Sequence, residues 1–139
     1  MSLENEPDLS ENHDFTYRAN VPNIIDGDTI AVELDLGFGI TRKIRVRLRD
    51  IDTKETHFVD HNSAEYQRGV QHRNGLITWI AEAQHASDST EEWPFTFYSH
   101  EYETGTYGRV IGDLWSDFHE EWASRHIFEK FDDVELYED

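Results

Sequence analysis

Two short acidic motifs and two arginine-bearing stretches have the residue types that phosphate chemistry needs. Asp26-Gly27-Asp28-Thr29 and Asp50-Ile51-Asp52-Thr53-Lys54-Glu55 each end a run of alternating apolar and polar residues. Between them, Ile44-Arg45-Val46-Arg47-Leu48-Arg49 places positive charge in a chain that is otherwise strongly negative. On adjacent strands, Asp28 and Asp52 would give Ca2+ two hard oxygen ligands, with backbone carbonyls and water completing the shell. Read without a metal, Asp26 and Asp28 are turn residues and Asp52 is a strand terminator. The planar fork of Arg47 suits paired, charge-assisted hydrogen bonds to a phosphate. The alternative for Arg47 is a cross-strand ion pair on a solvated face, the role expected of Lys43, Arg45 and Arg49. Glu55 could take a proton from water or orient it, and is otherwise a surface glutamate. Tyr107-Gly108-Arg109 adds a glycine for close approach and, in Arg109, a second cation.

These residues need a scaffold that returns distant segments to one place, and alternation supplies it. Phe15, Tyr17, Ala19 and Val21 share one face of a first strand, which Pro22-Asn23 interrupts as a bulge or edge kink. Asp26-Gly27 signals a hairpin into Thr29–Asp35. Leu36-Gly37-Phe38-Gly39 turns the chain into a third strand, Ile40–Leu48, whose broken parity predicts a bulge near Thr41–Lys43. After a polar loop, Asn62 or Ser63 caps a helix to about Gln84. Its apolar stripe is read as Val70, Ile77 and Ile80, flanked by Tyr66 and Trp79, with Gly69 and Gly75 marking either packing or a break. Strands at Trp93–His100 and Tyr107–Trp115 follow, and Phe118, Trp122, Ile127 and Phe131 fit a last helix. The expected fold is α+β, mainly β. It is a five-stranded OB-type Greek-key barrel with a helix between strands three and four and a C-terminal helix. Residues 1–14 read as an acidic, disordered arm, residues 15–131 as the OB domain and residues 132–139 as an acidic tail.

With 139 residues, the chain is expected to form one domain with a single core. It has no cysteine, which excludes disulfides and thiolate metal sites. No signal peptide or membrane-spanning run is evident, so a cytoplasmic monomer with no membrane partner is expected. A formal charge of −18 opposes contact with nucleic acid, whose phosphates supply non-specific affinity. Acid with little lysine suits concentrated salt, where repulsion is screened; acidic ends that confer solubility explain it equally well. His57 and His61 are read as a solvated loop pair rather than a zinc site. Trp93, Phe95, Phe97 and Trp115 fill the core or form a stacking platform.

Taken together, IIDGDTI, VRLRDIDTKE and YGRVIG, in that order and spacing, resemble the staphylococcal-nuclease (thermonuclease) family from about Tyr17 to Leu114. The resemblance implies a Ca2+-dependent nuclease on an OB-fold, cutting DNA and RNA. It implies that Asp28, Asp52 and the main-chain carbonyl of Thr53 hold the ion, and that Glu55 acts as general base or orients water. Arg47 and Arg109 would clamp the scissile phosphate, and Tyr107 would contact the nucleotide. Three positions depart from the family pattern: Lys54 where proline is usual, Gly105 where aspartate is common, and Phe131 near an expected tyrosine. A competing expectation is a catalytically silent OB-type module that binds a protein or single-stranded nucleic acid. A viral source and a high-salt organism are both compatible with this composition.

Overall fold

A computed structural model describes residues 15–54, 56, 59–87, 93–102 and 110–136, with only the backbone described at 101–102. Five strands form the barrel: β1 (Thr16–Asp26), β2 (Thr29–Asp35), β3 (Thr41–Leu48), β5 (Phe95–Tyr102) and β6 (Val110–Ser116). Antiparallel pairing runs in the order β3-β2-β1-β5-β6, and a parallel pairing of Val46–Leu48 with 110–112 closes the ring. The fold is thus mainly β with two helices, an OB-type closed barrel as the alternation predicts. No described helix is long and apolar enough to cross a membrane.

The longest strand, β1, serves two neighbours. Its first half pairs with β5 (Thr16 opposite Tyr98, Ala19 opposite Phe95), while β2 lies along it from Arg18 to Asp26. The β1–β2 register shifts between Asn20 and Asn23, at Pro22. A residue without an N–H is tolerated in such an irregularity, and the added bend helps a strand curve around a barrel. The β2–β3 register, by contrast, runs unbroken from Thr29 opposite Arg47 to Asp35 opposite Thr41. No bulge occurs at Thr41–Lys43, because Ile40 belongs to the turn and is 57% exposed. Gly37, Phe38 and Gly39 all take left-handed backbone angles there (φ 86°, 56° and 75°).

Helix α1 (Ala64–Ala86) packs its inner face against the barrel. Ser63, not Asn62, caps it, accepting from the Tyr66 N–H at 3.1 Å. The buried stripe is Gly69, His72, Gly75, Leu76, Trp79, Ile80 and Ala83, whereas Val70 and Ile77 are only half-buried. The stripe is rotated from expectation because a histidine and two glycines occupy core-facing positions. Neither glycine breaks the helix. A Cβ on Gly75 would lie 2.7 Å from the Phe131 ring, so its absence lets Phe131 close onto α1. Trp79 is fully buried and stacks on Phe95 at 5.6 Å between ring centres. Each such large apolar side chain contributes roughly 1.5–3 kcal/mol relative to exposure.

The C-terminal segment differs from the sequence reading in two ways. Helix α2 spans only Ala123–Lys130; Phe118 is 60% exposed in a turn, and Trp122 lies in the short strand β7 (Glu121–Trp122). The spacing of Phe118 and Trp122 imitates a helical stripe, but strand pairing with β6 and edge-on contacts with Tyr98 and Trp115 claim Trp122. The packed body also continues beyond Phe131 into the expected tail. Val134 is 5% exposed in the core, and β8 (Glu135–Leu136) pairs antiparallel with β4 (Ile51–Asp52). Residues 1–14 and 137–139 lie outside the described residues.

Candidate metal and phosphate site

The β1–β2 turn, the end of β3 and strand β4 meet at one end of the barrel, and each brings a charged side chain. Gly27 makes this approach possible, since a Cβ there would lie 2.8 Å from His72 Cβ and 3.0 Å from Thr53 Cγ2. The turn therefore seats directly against α1 and the strand end beyond Asp52. The next residue, Asp28, is 5% exposed. Its carbonyl accepts from the Leu48 N–H at 2.7 Å, which locks the turn to β3.

Asp28 is surrounded by donors. Its Oδ1 accepts from Thr29 Oγ1 at 2.9 Å, and its Oδ2 accepts from the Thr53 N–H at 3.1 Å and from Arg47 Nη1 at 3.3 Å. The other arm of Arg47 donates to the Ile51 carbonyl at 3.0 Å and to Asp52 Oδ1 at 3.4 Å. Burial pushes the Asp28 carboxyl above the ordinary carboxylate range, opposed by the Arg47 charge and the hydrogen bonds from Thr53 and Thr29. Asp52 is half exposed, so one carboxylate of the pair faces the interior and the other faces solvent.

Asp28, Arg47, Asp52 and Thr53, four of the residues singled out from sequence, are thus brought together. Arg47 is 8% exposed, which is not the solvated alternative. Glu55, Tyr107, Arg109 and Gly105 lie outside the described residues, as does His57. His61 stacks on Tyr66 at 4.4 Å.

The donors at this site are all oxygens: the carboxylates of Asp28 and Asp52 and the carbonyl and hydroxyl of Thr53. Among the described residues, Thr53 Oγ1 is buried with no hydrogen-bond partner. Carboxylate, carbonyl and unpaired hydroxyl oxygens are the donors that a hard cation such as Ca2+ takes, and the residues fit it in donor type. No cluster of three or more His, Asp or Glu side chains forms among the described residues, so main-chain oxygen and water would have to complete the shell.

The chain on either side of Glu55 is held at two points. The Lys54 N–H donates to His72 Nδ1 at 3.1 Å, a bond that proline at this position could not make. Thr56 donates through Oγ1 (2.6 Å) and N–H (3.2 Å) to Asp26 Oδ1. Asp26 is therefore a latch for the following loop. Because His72 Nδ1 accepts, its Nε2 carries the proton and donates to Asp133 Oδ1 at 2.8 Å. Asp133 also takes the Arg68 guanidinium in a forked pair, at 2.6 and 2.7 Å.

Sequence reasoning missed His72, Arg68 and Asp133; the one available signal was a histidine interrupting the Leu76-Trp79-Ile80-Ala83 stripe. It also misplaced Arg49. That residue is 8% exposed, donates from Nε to the fully buried Asp113 at 3.1 Å and lies 4.8 Å over the Trp122 ring.

The Asp133 clamp has a pH signature. The hydrogen bond from Arg68, with His72 adding to it, holds its carboxyl well below the ordinary carboxylate range. A depressed acid stabilises the fold above its unfolded pKa, and that stability is lost as pH falls through the folded value. Asp133→Asn is therefore expected to lower the melting temperature above about pH 4, with the gap to the parent closing at lower pH. Melting curves from about pH 2 to 6 test this; a gap constant across that range means that the clamp is not electrostatic.

Comparison of the sequence with protein-family models and with curated proteins finds no match in either.

Proposed function

We propose that this protein is a Ca2+-dependent phosphodiesterase that hydrolyses DNA or RNA strands. The convergence of Asp28, Arg47 and Asp52 at one end of the barrel carries the reading. Two carboxylates and one guanidinium leave one net negative charge, which favours a divalent cation. With the cation bound the sign reverses, and the site then favours a phosphodiester.

In this reading Asp28, Asp52 and Thr53 hold the ion, which when bound polarises a phosphoryl oxygen. Arg47 presents its fork to the non-bridging oxygens and offsets the charge that grows on them in the transition state. Glu55 takes the proton of the attacking water, with its flanking residues fixed by His72 and Asp26. Arg109 supplies the second cation for the same phosphate, and Tyr107 contacts the nucleotide. The resemblance to the staphylococcal-nuclease family supports these assignments at Glu55, Tyr107 and Arg109.

The test is digestion of plasmid and single-stranded DNA with and without Ca2+, from low to high salt. Cleavage that needs Ca2+ and falls steeply in Glu55→Gln is expected. A folded protein that cleaves neither substrate at any salt overturns the reading. One observation favours the catalytically silent OB-type module: Arg47 already has Asp28, the Ile51 carbonyl and Asp52 as acceptors. That module predicts binding without cleavage in the same assay.

A further inference from the structure

We infer that the outer face of β3 is a phosphate track, along which a single polynucleotide strand runs from the Arg47 site toward the β2–β3 turn. The inference rests on the phosphodiesterase reading and extends its site.

Side chains alternate along a strand, so Lys43, Arg45 and Arg47 share one face of β3 while Ile44, Val46 and Leu48 face the core. Successive members of the outer row stand about 6.8 Å apart, a spacing that lets each meet a different phosphate of an extended strand. Lys43 and Arg45 are exposed, as is Arg42 beside them, and none of the three forms an ion pair among the described residues. Across β2, Arg45 faces Ala31, while Lys43 faces the half-buried Glu33. Arg42, Lys43, Arg45, Arg47 and Arg49 make up five of the 12 basic side chains in a chain of charge −18. Three exposed cations on one strand are therefore a local reversal of the protein's field, and they complement an anion.

The track ends at an apolar tip. Phe38 is fully exposed at 103% in a left-handed backbone conformation, an uncommon one for a bulky residue. Leu36 and Ile40 flank it, exposed at 38% and 57%. An exposed aromatic face next to a row of cations is the combination by which single strands are bound, with phosphates on the cations and bases on the ring. A protein ligand with acidic and apolar side chains would also complement the face. Continuity with Arg47 on the same strand favours the polynucleotide.

Equilibrium binding of a fluorescent oligothymidine, measured by anisotropy in EDTA over a salt series, tests the track without requiring cleavage. Lys43→Ala/Arg45→Ala is expected to weaken binding and reduce the slope of log K against log salt by about 1.4, at ~0.7 per lost single-strand contact. Arg125→Ala/Lys130→Ala, an equal loss of charge on α2, should leave the slope unchanged. Phe38→Ala should weaken binding at every salt with the slope retained. Equal slopes in the parent and the β3 variant, or no binding by the parent at low salt, overturn the track. A parent dimer that the β3 variant dissolves assigns the face to a second copy and also overturns it. Strand binding that behaves as expected, with no Ca2+-dependent cleavage, leaves the track standing and removes the phosphodiesterase reading alone.

Discussion

Arg47→Ala is expected to lower cleavage by about 10²–10³-fold, the usual loss when one preorganised transition-state donor is removed. The same variant is expected to bind Ca2+ more tightly than the parent. Arg47 lies 3.3 Å from Asp28 and 3.4 Å from Asp52, so it competes electrostatically with any metal those carboxylates hold. At such separations a unit pair interacts by about 4 kcal/mol at an effective dielectric of 20. Removing the guanidinium therefore strengthens the site for metal while depriving the phosphate of its clamp. In metal-free buffer the variant should be less stable by about 3–5 kcal/mol, because the buried Asp28 loses its charge partner. Added Ca2+ should restore much of this, as any ligand specific to the folded state does. Single-turnover cleavage, calorimetric Ca2+ titration and melting curves with and without Ca2+ measure the three effects. Weaker Ca2+ binding in folded Arg47→Ala would show that Asp28 and Asp52 are not the metal's ligands.

The second large effect concerns stability, at the partner of Arg49. Asp113→Ala is expected to destabilise the barrel by about 3–5 kcal/mol, a large part of the roughly 5–15 kcal/mol that holds a domain folded. Asp113 is fully buried on β6 and accepts from Arg49, from the Ser124 hydroxyl and N–H and from the Leu114 N–H. Burial pushes its carboxyl upward, and the Arg49 charge with the hydrogen bonds from Ser124 and Leu114 opposes this. Cutting it back takes the fully buried carboxylate away from a guanidinium that is itself 8% exposed. Arg49→Met combined with Asp113→Leu should recover a substantial part of the loss, since apolar residues can replace a buried pair. Urea denaturation of the three variants forms the cycle. Additive losses in Arg49→Met and Asp113→Leu mean that the two side chains do not act as a pair.

Arg47 and Arg49 also show where the sequence was legible. Alternation and the motifs either side of Arg47 expose the Asp28–Arg47–Asp52 grouping, because all three lie near the ends of strands that are neighbours in the chain. Arg49 has the same parity and the same surroundings in sequence, yet its partner comes from 64 residues away on β6. No periodicity in β3 encodes that distance. His72 and Asp133 are 61 residues apart and were hidden in the same way, one in an apolar stripe and the other in apparent tail acid. The β1 irregularity at Pro22 was visible because proline lacks an N–H. The supposed bulge in β3 was a parity count begun one residue early, at Ile40. Phe118 and Trp122 kept helical spacing but not helical structure, since pairing with β6 outweighed an eight-residue helix's claim on Trp122.

Among the described residues, strand β4, which carries Asp52, has one sheet partner, β8 at Glu135–Leu136. During synthesis, every barrel strand would leave the ribosome before the segment that fixes Asp52 and, through Asp133 and His72, the chain at Lys54. A nascent chain could close its barrel and still lack an ordered β4, so the proposed metal site at Asp52 would form after the barrel. The same order runs backwards under proteolysis. A cut just after Lys130 would remove β8 while sparing all five barrel strands, and would unpin Asp52 at a bond remote from it in sequence.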